Sequence, residues 1–499
     1  MADLNRLDND EELKKPGALG IVWTSRRRTI LTVLVIGTLL ESSCYALMAP
    51  FYPDEAKSKG NSATQFGIVF GTYPLVGFFF SPICGKLLST RMKAKTMLIC
   101  GMLVDGIFLS LMGTLQYVNH STWFFVLGVG IRFIEAIGFS ASITCYYAIA
   151  SSEFSEKVHF FVPLIETIFG VGIMVGPTLG GGLFDIGGYT MPFLVFGIST
   201  IAFAFITLAF LPELKSQEEN PEKGFKDLYI PQVILNYFMV VVCFIIVGFN
   251  EATLSIHLGK FGLSESSKGA CFIVPGGIYA ICSITWGAFC RRVADARYFV
   301  LLGGAVALIS ILIVGPVPWF GFEAKLWIVL VAQGLMGFGD GAMYVCSFMH
   351  TLAFLTRTRG FEDNFSTYAL LAGIFSSAFS LGGFLGPIIG GVLLDYEGYE
   401  YSTGWIAFIL SIGLFLVLLS TARDYCVGID LREDQFMPAK NLKAPSDIKT
   451  ETMEKGGQLP IEAEVLTDKA NTNNGAITLD PTFVRDFGHD NPAMEMTHL

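Results

Sequence analysis

Apolar residues in this chain run on for about twenty positions at a time, near 29–50, 66–88, 96–117, 122–150, 160–184 and 190–211. After a charged stretch the runs resume near 232–256, 268–290, 298–317, 326–355, 366–394 and 402–422. At a helical rise of about 1.5 Å per residue, a run of about 20 residues matches a hydrocarbon core about 30 Å thick. Backbone in lipid must satisfy its own hydrogen bonds, and runs of this length do so as helices rather than barrel strands. The pattern therefore predicts an all-α membrane protein with twelve transmembrane helices. Its divisions are an N-terminal segment 1–28, a six-helix bundle 29–211, a linker 212–231, a second six-helix bundle 232–422 and a tail 423–499.

Composition agrees: 52% of residues are hydrophobic and only 15% charged, whereas a soluble domain carries about 25% charged residues. Lysine and arginine give the orientation. With the N-terminus inside, eighteen basic residues fall on that side before the tail, among them Arg26, Arg27, Arg28, Arg91, Lys93, Arg291, Arg292 and Arg357. Five fall opposite: Lys57, Lys59, Lys260, Lys268 and Lys325. Both termini are expected in the cytoplasm. The net charge of −10 divides into +1 over 1–28, −5 over 29–422 and −6 over 423–499, so the acidity sits largely on a tail whose composition fits disorder. No basic patch argues for nucleic acid. The opening MADLNRLDNDEELKK is too polar for a cleavable signal, which leaves insertion to the first span. The ten cysteines have no zinc or redox spacing and read as small packing residues. The sequons at Asn119 and Asn364 are expected to stay unmodified, the first in a very short loop and the second on the cytoplasmic side.

Two stretches 210 residues apart read alike, FGVGIMVGPTLGGGLFDIGGY at 169–189 and FSLGGFLGPIIGGVLLDYEGY at 379–399, with ten identities and no gap. The doubled string pairs Gly172, Gly176, Pro177, Gly180 and Gly181 with Gly382, Gly386, Pro387, Gly390 and Gly391. The same offset relates Glu41 to Glu251. A duplicated six-span half predicts two pseudo-symmetric bundles about an axis along the membrane normal, with a substrate path between them and access that alternates by rocking. Glycines four apart let helices approach closely, and the proline removes one backbone hydrogen bond. These ten residues are the candidate gating motif.

The string Gly172-x-x-x-Gly176-Pro177-x-x-Gly180-Gly181 resembles the antiporter motif of the fifth span in the major facilitator superfamily, and the resemblance implies that family's fold. Within the superfamily the chain is similar to the vesicular amine transporters, especially their polyamine-transporting branch. The likeness rests on Ala49-Pro50-Phe51-Tyr52-Pro53, Arg132-Phe133-Ile134-Glu135-Ala136, Glu166-Thr167, Glu251-Ala252-Thr253-Leu254-Ser255 and 360–367, and covers roughly 30–420. Three departures stand beside it. The loop between the first two spans is short, at 51–65. Ser376 occupies the place of an acid that monoamine and acetylcholine members carry in span 11, while the repeat-equivalent place holds Glu166. The loop 2–3 signature is reduced to Gly85-Lys86-Leu87-Leu88-Ser89-Thr90-Arg91-Met92-Lys93.

Seven ionisable residues lie well inside the spans: Glu41, Asp105, Arg132, Glu135, Glu166, Glu251 and Asp340. Each costs about 2.5–3.5 kcal/mol at a helix centre, which disfavours an idle one facing lipid. Six acids against one base select cations or protons. Glu41 has Tyr45 one turn on, and a carboxylate beside an aromatic ring suits an amine; a structural pair with Arg132 is its competing role. Glu251 is the matching position in span 7. Glu166 lies ahead of the glycine motif and suits proton–amine exchange, against a protonated acid bonded to a carbonyl. Arg132 and Glu135 share one face of span 4, either to bias proton release by a nearby acid or as a static pair. Asp105 and Asp340 sit among small residues, where packing or hydrogen bonding competes with a transport role. Tyr73, Tyr279, Trp286 and Tyr344 read first as packing or interfacial residues.

The expected function is a proton-coupled antiporter moving an organic cation, a polyamine or monoamine, into acidic vesicles. The alternatives are a plasma-membrane exporter of organic cations and a non-transporting receptor-like relative. With no phosphate loop and no metal-ligand cluster, the sequence points to no enzyme, cofactor or metal. The expected partners are the cation, protons and membrane lipid, and the chain is expected to act as a monomer.

Overall fold

A computed structural model describes residues 23–154, 158–212, 228–290, 293, 295–317, 321, 323–361 and 365–427. Most of the linker and of the N-terminal segment, the tail beyond 427, the sequon at Asn364 and residues 362–364 of the family-like stretch lie outside the described residues.

The described chain is helical throughout: α1 Ser25–Ala46, α2 Tyr52–Ser58, α3 Ala63–Thr90, α4 Ala94–Met112, α5 Ser121–Glu153, α6 Val158–Gly187, α7 Thr190–Phe210, α8 Pro231–Gly259, α9 Glu265–Cys271, α10 Ile273–Cys290, α11 Arg297–Val314, α12 Leu326–Thr358, α13 Phe365–Tyr396 and α14 Tyr399–Val427. Counting α9 and α10 as one crossing, twelve of these are long and apolar enough to span a membrane. An even number of crossings returns residues 23 and 427 to one face, called the terminus side below; the opposite face is the far side.

Two boundaries differ from the hydropathy reading. The first span ends at Ala46 and not near 50, because the apolar run carries on through Leu47, Met48 and Ala49 while the chain turns ahead of Pro50 and restarts as α2 with Pro53 in its first turn. A residue before proline is pushed out of the helical region, whereas proline suits a first turn. The eighth span starts at Glu265 and breaks at Phe272. Pro275 then falls in the first turn of α10, the one place in a helix where its missing N–H costs nothing.

The repeat is visible in which helices touch. Within the first half α4 packs on α5 and α7, α3 on α5, and α1 on α6; within the second half α11 packs on α12 and α14, α10 on α12, and α8 on α13. These are the same pairs displaced by one repeat. The cross-contacts between halves repeat too, α13 on α3 and α6 on α9 and α10. Helices α6 and α13 also end alike. Gly188 (φ +71°) and Gly398 (φ +78°) take the left-handed conformation that stops a helix and turns the chain into the next span.

The glycine motif has a division of labour. A Cβ at Gly172, Gly176 or Gly180 would collide with Ser42 or Ser43 of α1 or with Leu47 just past its end, and one at Gly382, Gly386 or Gly390 with α8. These six glycines seat each motif helix inside its own half. The last glycine of each motif looks the other way: a Cβ at Gly181 would meet the Glu265 carbonyl and one at Gly391 the Ala63 carbonyl, each in the opposite half.

Candidate functional site

The intramembrane charges separate into two populations. One is sealed inside the first half. Arg132 on α5 is 1% exposed, and its guanidinium donates to Glu135 at 2.7 Å and to the Tyr45 carbonyl at 3.2 Å. It also lies over the Tyr73 ring, 4.2 Å from the centroid. The Tyr73 hydroxyl donates to Asp105 on α4 at 3.2 Å. Glu41 is fully buried, with Asp105, Ser142 and Tyr146 as neighbours. Neither of its oxygens has a hydrogen-bond partner within ordinary geometry, and the same holds for Oδ2 of Asp105 and Oε2 of Glu135. Three acids thus share one base in a medium that weakens charge little by screening, where an unpaired carboxylate is costly.

This placement changes two details of the sequence reading. Arg132 pairs with Glu135, not with Glu41. Tyr45 and Glu41 do not present a joint surface either: Tyr45 packs edge-on against Tyr73, centroids 5.1 Å apart, while the Glu41 carboxyl faces α4 and α5. Asp340 is sealed in the second half, where Cys243 donates to its carbonyl at 3.6 Å.

The second population is less buried. Glu251 on α8 is partly exposed and lies close enough to Arg132 and Tyr45, across the boundary between halves, to interact with both electrostatically. Glu166 on α6 is exposed, accepts a hydrogen bond from Tyr147 of α5, and lies within electrostatic reach of Tyr344 and Tyr279 from the second half. A carboxylate set among tyrosines from both halves offers an organic ammonium a counter-charge and ring faces together. Arg132 links the populations, since it touches Glu135 directly and feels Glu251.

Tyrosine is where sequence reasoning falls short. Tyr73 is more than packing, because it holds Asp105 and stacks beneath Arg132 at once. Tyr147 carries no signal in the sequence that sets it apart from other aromatics; only the fold puts it on α5 beside the carboxylate of α6. Trp286 is a packing residue, its indole donating to the Phe338 carbonyl at 3.3 Å. Among the described residues no three His, Cys, Asp or Glu side chains gather as a metal site.

In the terminus-side parts of α6 and α13, Glu166, Thr167, Ala372, Gly373 and Ser376 are exposed. Toward the far side the same helices close on the opposite half, with Pro177 against Gly269 and Pro387 against Gly67.

Comparison with known proteins agrees with this architecture. The family model described as Major Facilitator Superfamily matches residues 34–361 and 252–425. The chain is 31% identical over 386 residues to the MFS-type transporter SLC18B1 of Rattus norvegicus, covering 76% of this chain and 84% of that one. It is 25% identical over 398 residues to the synaptic vesicular amine transporter of Rattus norvegicus, covering 77% and 70%. Among solved structures, a bacterial homolog of the human lysosomal transporter Spinster, in an inward-facing and occupied conformation, superposes with a TM-score of 0.67 at 14% identity, over 84% of this chain and all of that one. At that identity the likeness concerns the fold.

Proposed function

We propose, from the premise that this chain belongs to the Major Facilitator Superfamily, that it is a proton-coupled antiporter carrying an organic cation, a polyamine or monoamine, into an acidic compartment. The observation that supports this most is the position of Glu251, an accessible carboxylate at the boundary of the two halves, within electrostatic reach of the sealed Arg132. In this reading Glu251, Glu166 and Tyr45 receive the cation, and Glu41, Asp105 and Glu135 hold protons around Arg132. Asp340 serves the second half in the same way.

Exchange follows from charge balance. An interior with excess carboxylates is neutralised either by protons or by an ammonium group, so the two guests exclude one another. The cation enters from the terminus side, which the lysine and arginine bias makes the cytoplasm. It displaces protons, the halves rock, and an acidic far side replaces the cation with protons. Each proton moving down one pH unit supplies about 1.36 kcal/mol.

The test is uptake into liposomes with an acidic interior, using the full chain and labelled spermidine or serotonin. Uptake is expected to collapse when the pH gradient is dissipated and to fall at least tenfold in Glu251→Gln. Undiminished uptake with both Glu251 and Glu166 changed to glutamine overturns the reading.

A further inference from the structure

One residue of the repeat is left over by this account. Asp185 and Asp395 are repeat mates at the far-side ends of α6 and α13. Each reaches into the opposite half and caps a helix there. The Asp185 carboxylate accepts from the backbone N–H of Glu265 at 3.2 Å and of Ser266 at 3.0 Å, the first two residues of α9. The Asp395 carboxylate accepts from the N–H of Ala63 at 2.7 Å and of Thr64 at 2.8 Å, the first two residues of α3, and from the Thr64 hydroxyl at 2.7 Å. The geometry is the same at both ends of the pseudo-symmetric pair.

We propose that Asp185 and Asp395 are twin latches that hold the far side shut, and that their simultaneous release is the step that opens it. The proposal rests on the alternating-access reading above but not on the identity of the cation. A helix N-terminus carries free N–H groups and a partial positive charge, which a carboxylate satisfies. Had each aspartate come from the same half as the helix it caps, the bond would be a static part of that half. Coming from the other half, it must break whenever the halves separate on this side.

Two further features suit a reversible bond. Each capped helix keeps a local cap of its own. Ser62 accepts from the Gln65 N–H at 3.3 Å while the Gln65 side chain accepts from the Ser62 N–H at 2.9 Å, and Ser264 accepts from the Ser267 N–H at 3.3 Å. The helix end is therefore not left bare when the aspartate departs. The last motif glycines, Gly181 and Gly391, let the backbones approach closely beside the latches, at the Glu265 and Ala63 carbonyls. One asymmetric reinforcement lies alongside: Lys268 of α9 donates to Asp54 of α2 at 2.5 Å and to Glu265 at 2.7 Å.

The test measures distances between spin labels on the full chain without substrate, so its failure leaves the transport reading standing. Cys100, Cys282 and Cys426 are replaced by serine, and labels are placed at His120 and Glu397 on the far side or at Arg91 and Arg357 on the terminus side. In Asp185→Asn/Asp395→Asn the population with a long far-side distance is expected to rise at least fivefold, with a matching shortening on the terminus side. Glu323→Gln, an exposed acid elsewhere, leaves both distributions as they are. Unchanged distributions in the double variant, or a far-side lengthening without terminus-side shortening, overturn the proposal. Should the double variant fail to fold, Thr64→Val and the single variants carry the test. Each is expected to shift both distances in the same directions by less, and no shift in any of them is equally decisive against it.

Discussion

Asp295 sits in the short connection between α10 and α11, where Arg297 donates to it through Nε at 2.9 and 3.0 Å and also reaches Asp424 of α14 at 2.6 Å. Burial works against the charge on Asp295. The Arg297 hydrogen bonds, together with the charges of His350 and Arg297, outweigh it and hold the carboxyl below the usual carboxylate range. A depressed carboxyl contributes stability that is complete above its unfolded value, about 3.9, and is lost as pH falls through the lower folded value. Asp295→Asn is therefore expected to lower the melting temperature at pH 7, and the gap to the unaltered protein is expected to close as pH drops below about 4. A gap that stays constant down to pH 3 contradicts this role. At this scale the sequence made charged residues in apolar runs easy to find, because any carboxylate there stands out. It could not show which way they face. Glu41 and Tyr45 are one helical turn apart, yet the rings of Tyr73 and Phe139 draw Tyr45 aside while Glu41 turns toward Ser142. Tyrosines were illegible for a different reason: a residue equally at home in a core, at an interface or on a carboxylate carries no signal by itself.

Among elements, α6 and α13 carry the most constraint. Each is pressed into a neighbour of its own half along one glycine stripe and meets the opposite half at its last motif glycine. Gly176→Ala sets a methyl against the Ser43 carbonyl, where backbone would have to move, whereas Gly182→Ala points into open space. The first is expected to lower the melting temperature by several degrees and to slow transport, since overpacking costs roughly 1–3 kcal/mol; the second is expected to change neither. Equal behaviour of the two contradicts the packing role of the stripe. The existence of twelve spans was readable because length and hydropathy are properties of the run itself. Helix ends were less so: α1 stops at Ala46 because of the turn before Pro50, in a stretch whose hydropathy gives no hint of it. The functional split within the glycine motif was not readable at all, since four glycines in a row of identities look alike until their neighbours are known.

For the whole molecule, the repeat in sequence becomes a repeat in helix pairing, and that pairing sets at which end the two halves close on each other. The paired contacts of α3 with α13 and of α6 with α9 and α10 close the far side, while Glu166 is exposed in the terminus-side part of α6 and Glu251 lies at the boundary of the halves. The internal duplication made the two-bundle plan legible from residues such as Gly176 and Gly386. The cross-bundle bonds of Asp185 and Asp395 stayed hidden, because an aspartate after a glycine motif gives no clue to which half it will cap. The central claim is that cation and protons exclude one another from an interior with excess carboxylates, and proton release is its most direct readout. Acid-loaded liposomes containing the full chain and an internal pH dye should lose protons on addition of external spermidine or serotonin, in fixed proportion to the labelled cation taken up. Cation accumulation with no accompanying change in internal pH, beyond that of protein-free liposomes, would contradict it.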